Sequence, residues 1–206
     1  FNVYFKQRGS TTIEMKSQLS QQITSLIIPT GVHTLTFDDP VNSGSQETRY
    51  LWMTAGHTHE WGTDFNLYVR DSTGTISTNK LYDGSGIETN NGSYYDNSLG
   101  YWDWHHPPIE YWPNLNPVKF GKYGSKKAGI VSKPTYNNTT SSTLFFSAQT
   151  NGEMNLWYYM YTSQPLSTVN AINDNTKKGI YFQVFPNPMN GTGKMLYTLE
   201  EDAAVE

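Results

Sequence analysis

The chain is 206 residues long and carries 14 Lys plus Arg against 18 Asp plus Glu, a net charge of −4. That balance leaves no excess of basic charge for a nucleic-acid surface, and no apolar stretch approaches the roughly 18 residues of a membrane-spanning helix. Only 16% of the residues are charged while 15% are aromatic, and with abundant Thr, Ser, Asn and Gly this mixture predicts many short strands joined by frequent turns.

In chain order, residues 2–5 and 11–15 read as strands around a Gly9-Ser10 turn. Residues 22–28 and 32–37 flank a turn at Pro29-Thr30-Gly31, and 50–55 lead into His57-Thr58-His59. After these histidines Phe65, Leu67 and Val69 alternate with Asn66, Tyr68 and Arg70, the period of two expected of a half-buried strand. Strands over 76–82, 119–123, 128–132, 143–147 and 154–162 complete the set, and 12–22 is the best candidate for a helix. The sum is an all-β fold, an antiparallel β-sandwich over residues 1–162, which is length enough for one sizeable core. Residues 163–179 are polar and aperiodic and read as a linker; 180–206 form a short β-rich C-terminal segment. The Gly-, Asn- and Tyr-rich excursion over 83–104 is long for a compact domain, a length usually tied to function or mobility.

Residues i and i+2 of a strand share one face, so His57 and His59 can direct both imidazoles at one metal ion. A pair of exposed strand histidines is the alternative. His105 and His106, at the end of the long excursion, could add a third imidazole and make a site for zinc or iron; otherwise the His106-Pro107-Pro108 step orients the loop. Tyr101, Trp102 and Trp104 form an aromatic wall that either faces substrate or belongs to the core. His33, between Val32 and Thr34, reads as structural. A cupin also places H-x-H on a strand, but its later Glu and second His motif are not found.

Five segments occur in a familiar order: Ile28-Pro29-Thr30-Gly31, His57-Thr58-His59, His106-Pro107, Tyr136-Asn137-Asn138, and Glu153-Met154 followed by Tyr158, Met160 and Tyr161. Over residues 2–162 the chain resembles the second, methionine-containing copper domain of the ascorbate-dependent type II copper monooxygenases. That family includes the peptidylglycine hydroxylating enzyme and dopamine β-monooxygenase. The resemblance implies a jelly-roll arrangement and one copper ion held by His57, His59 and Met154, although Met154 taken alone would pass for a core filler. Two imidazoles and a thioether suit both oxidation states of copper, and three protein ligands leave positions open for dioxygen. The resemblance further implies hydroxylation of a substrate C–H bond, with ascorbate or another reductant as electron donor and a preceding electron-transfer copper domain as partner. A secreted copper-binding or adhesive module without monooxygenase activity is the alternative.

The departures narrow the substrate. In the peptide-amidating branch an arginine two residues before the first histidine and an asparagine two after the methionine anchor the substrate carboxylate; here these positions are Ala55 and Leu156. Only Tyr158, on the substrate side, has a counterpart. Carboxylate recognition calls for a forked donor such as Arg, so peptidylglycine substrates are not expected. The family's cysteines are also absent, and the chain has no Cys at all.

The tail, from Val184-Phe185-Pro186-Asn187-Pro188 to a Tyr197-x-Leu199 strand, resembles the opening of the C-terminal sorting domain of type IX secretion, cut short at Glu206. It implies a product secreted from, or displayed on, a Gram-negative bacterium, with that secretion machinery as a partner. A Pro-Asn-Pro turn between two strands is the alternative.

Overall fold

A computed structural model describes residues 3–5, 13–22, 24–39, 45–88, 94–96, 98–149, 151–165, 181–184 and 195–198. No helix occurs among them and the paired strands are antiparallel, so the fold is all-β. The chain divides into two compact units, 1–166 and 167–206. The first contains β1 (Val3–Phe5), β2 (Ile13–Gln21), β3 (Ile27–Ile28), β4 (Gly31–Thr34), β5 (Phe37–Asp38), β6 (Glu47–His57), β7 (Gly62–Arg70), β8 (Ile76–Asp83), β9 (Tyr94–Asp96), β10 (Ile109–Tyr123), β11 (Lys126–Asn138), β12 (Leu144–Phe145) and β13 (Leu156–Thr162). In the second, β14 (Tyr181–Val184) pairs with β15 (Met195–Thr198). The expected Pro-Asn-Pro turn and most of the expected linker lie outside the described residues.

One layer runs β1-β2-β13-β6-β10, with β9 on the edge of β10; the other runs β8-β7-β11, with β4 and β5 on β11. The β10–β11 hairpin joins them. The layers face each other across a core in which Leu51, Val118, Phe120, Trp157 and Tyr159 meet Phe65, Leu67, Leu81, Tyr82 and Ile130. Alternation decides which side chains enter it: β13 turns Trp157, Tyr159 and Tyr161 inward and leaves Leu156, Tyr158 and Met160 on the outer face. A second cluster of Leu26, Ile28, Tyr136 and Leu144 forms around the short β3–β12 pair.

Three expectations are corrected. Residues 12–22 are not helical; Ile13–Gln21 pairs along its length with β13, and sheet pairing overrides weak local propensity. Residues 22–28 turn at Thr24-Ser25 and are extended only at Ile27–Ile28. The strand expected over 119–123 is the last third of β10, whose earlier part is hidden in sequence by Pro113 and Pro117. Pro113 falls inside the bulge between Tyr111 and Asn116, where Leu115 adopts φ 59° and a missing N–H donor is tolerated; Pro117 follows the bulge, paired with Tyr50.

Candidate metal centre

The site is built on the ends of β6 and β13. His57, the last residue of β6, pairs with Leu156, the first of β13, and His59 and Met154 lie just beyond these strand ends. Since Leu156 and Tyr158 point away from the core, His57 lies on the outer face of this sheet, and the His59 ring meets it edge-on. Gly56, on the opposite face, lets the strand pass over Phe65: an added Cβ would lie 2.3 Å from the Phe65 ring.

Hydrogen bonds fix the segment that carries the histidines. The buried Glu153 carboxylate accepts three backbone N–H groups, from Met154 at 2.7 Å, Trp61 at 3.1 Å and His59. Burial pushes the Glu153 carboxyl above its ordinary range, a shift that the three N–H donors and the neighbouring His59 oppose. The residue between the histidines, Thr58, is fully buried; it accepts the Trp102 indole N–H at 2.9 Å and donates to the His59 carbonyl at 3.1 Å. That carbonyl also accepts Gly62 N–H at 3.0 Å, closing the turn into β7. Tyr136 O–H donates to the Met154 carbonyl at 2.7 Å, and the Asn138 amide donates to the Ile28 carbonyl at 2.9 Å. The Y-x-N segment thus ties together the Ile28-Pro29 and Glu153-Met154 segments.

The donor set passes a geometric test. Metal–imidazole bonds are about 2 Å long, so two ring centres on one ion lie within roughly 6 Å of each other; those of His57 and His59 are 5.4 Å apart. His59 Nδ1 lies 3.1 Å from the Gly152 carbonyl. A proton on Nδ1 satisfies that carbonyl and leaves the Nε2 lone pair for a metal, the usual arrangement of a ligating histidine. Burial, and secondarily His59, hold His57 below the ordinary histidine value, which keeps it neutral and able to ligate.

The remaining sequence-flagged residues separate. His105 and His106 are exposed, with their Nδ1 atoms 3.3 and 3.0 Å from the Asp103 carboxylate. Among the described residues no three His, Cys, Asp or Glu side chains gather as a metal site. Trp104 lies between the two histidine pairs, 6.4 Å from His59 and 3.7 Å from His105 by ring centres. Trp102 is in the core, stacked on Phe65 at 5.4 Å, so it supports the site from beneath; Tyr101 is exposed. Tyr158 is half-exposed on the outer face. His33 is half-buried and contacts the Thr30 carbonyl at 3.1 Å. Sequence reasoning missed the bracing roles of Glu153, Gly152 and Thr58; the only signal was that Thr58 and Glu153 adjoin a candidate ligand and Gly152 lies two residues from one. No family model matches this chain, and no curated protein matches it.

Proposed function

We propose that this chain is a secreted copper-binding domain that hydroxylates a C–H bond with dioxygen when paired with an electron-transfer copper domain. The observation that carries the reading is that the His57 and His59 rings lie 5.4 Å apart, with His59 Nδ1 occupied by the Gly152 carbonyl and with Met154 next to the Glu153 that braces their segment. Bound copper would supply the redox chemistry that activates dioxygen, with ascorbate or another reductant providing electrons. The chain's own residues set the stage for it. His57 and His59 offer neutral nitrogen, Met154 offers sulfur, and Glu153 locks the backbone between them. Ala55 and Leu156 offer no charged donor beside the ligands, which argues against a substrate anchored by a carboxylate. Tyr158 presents its ring on the substrate side.

The jelly-roll arrangement belongs to the same reading, supported by two antiparallel layers. Type IX export is supported by the tail motif and by the pairing of β14 with β15 on either side of it.

X-ray absorption of the Cu(I)-loaded protein tests the centre. A sulfur scatterer should be present and should vanish in Met154→Leu; a sulfur signal that survives the substitution refutes the ligand set. Export is tested in a bacterium with type IX secretion by comparing a fusion carrying the whole tail with one cut at residue 162. Equal export of the two refutes the sorting reading.

A further inference from the structure

The outer face that carries His57 continues well beyond it. Three rows of paired residues follow from the register. His57, Leu156 and Gln21 form the first, Ala55, Tyr158 and Leu19 the second, and Tyr94, Tyr111, Met53, Met160 and Ser17 the third. With about 3.4 Å per residue along a strand, the third row lies roughly 14 Å from His57.

This face is apolar and only partly covered. Leu19 is 51% exposed, Tyr94 48% and Tyr158 36%, although surface patches of this kind on soluble domains usually mark binding sites. Beneath them Met53 and Tyr111 are buried. Tyr94 stacks on Tyr111 at 5.1 Å and 21°, and Trp52 meets Tyr111 edge-on at 5.7 Å. Methionine sulfur and tyrosine faces together favour a flat ring. None of the three rows contains Lys, Arg, Asp or Glu. Asp96, on β9 at the edge of this face, is near enough to Tyr111 to help burial push that phenol up to about 12, and it would repel an anion.

We infer that this face is a binding floor for a neutral, ring-bearing apolar small molecule, its ring on Tyr94, Tyr158 and Met160 and its other end at the metal ligands. The inference rests on the proposed copper site for its direction, since continuity with those ligands is what makes the floor a substrate surface. It separates the group that is recognised from the carbon that reacts by several bonds, and it assigns recognition to apolar contact in place of a charged anchor.

The test uses the metal-free full chain with its methionine methyls labelled with ¹³C, titrated with phenylbutanol, phenylbutyrate or phenylbutylamine. Phenylbutanol should shift the Met53 and Met160 methyls to saturation, and phenylbutyrate should bind at least ten-fold more weakly. Tyr94→Ala and Tyr158→Ala, both at half-exposed positions that the fold can spare, should each weaken phenylbutanol several-fold. Equal binding of phenylbutyrate, tighter binding of the amine, or no shift at Met53 and Met160 overturns the inference; so does a shift that tracks self-association in sedimentation. Copper affinity is measured separately. Copper binding without probe binding sinks the floor alone, and probe binding without copper binding sinks the metal reading alone.

Discussion

The chain holds two pairs of histidines, and the contrast between them shows what would fit one pair, and not the other, to hold a metal. His57 and His59 sit on a strand end braced by buried groups: the Glu153 carboxylate below the backbone, the Gly152 carbonyl on one ring, Thr58 pinned by Trp102. His105 and His106 sit in an exposed turn and both direct Nδ1 at one exposed-loop carboxylate, Asp103, with ring centres 6.2 Å apart. Their Nδ1 atoms converge on Asp103, so the Nε2 atoms diverge into solvent. The first pair has its orientation enforced from the core, whereas the second has it set by a contact that water competes for.

Single substitutions break this comparison most sharply. His59→Ala should weaken copper binding by more than the roughly 10–100-fold typical of losing an outer-shell partner, because it removes a ligand itself. His105→Ala and His106→Ala should leave the affinity within about two-fold, since among the described residues neither joins His57 and His59 in a metal-holding cluster. Competition titration against a chelator measures both; equal losses at the two pairs would show that the site draws on the loop. Glu153→Gln should cost about 1–3 kcal/mol in denaturant unfolding, because an amide N–H₂ replaces one acceptor and leaves a buried donor facing a donor. It should also loosen copper binding, which a purely structural role remote from the ligands would not do.

How much of this was legible beforehand follows from which forces are local. The period of two around Phe65 and the aromatic alternation of residues 157–161 announced strands because burial on one face imposes that pattern directly. The His57/His59 pair was visible for the same reason. The length of β10 was not, since Pro113 and Pro117 argue against a strand unless a bulge absorbs them. Nor was the full length of the strand at Ile13–Gln21: residues 11–15 read as extended, but the continuation to Gln21 rests on pairing with β13. Within the site, Met154 could be placed by its segment, but the support from Glu153 and Trp102 depends on residues 94 and 44 positions away in sequence. No local pattern encodes such a contact. Trp102, flagged as wall, turned out to be buttress.

A gentler perturbation of the braced pair is Trp102→Phe. It removes the indole N–H that Thr58 accepts while keeping an aromatic ring against Phe65. The lost hydrogen bond and the smaller ring should together cost about 1–2 kcal/mol of stability. Copper affinity should fall less than with Glu153→Gln, because Trp102 acts on the histidine segment through one side chain and Glu153 through three backbone groups. The reverse ranking would mean that the turn is held chiefly from the long loop.

The smallest effect separates the two causes acting on His57. Burial, and then the neighbouring His59, hold His57 below the ordinary histidine value of 6.5. A histidine whose folded value is depressed adds stability that is fully present above its unfolded value and lost as pH falls through the folded one. Metal-free protein should therefore lose this contribution on acidification from about pH 6.5 downward, and the His57 ring protons should titrate with a midpoint below 6.5 in NMR. His59→Gln removes only the charge of the second ring, the lesser cause. The His57 midpoint should then rise part of the way back toward its ordinary value and stop short of it. Complete recovery would assign the shift to charge repulsion and make His57 an exposed strand residue; no movement would mean that the two rings do not sense each other, and the shared face for one metal ion would be lost with them.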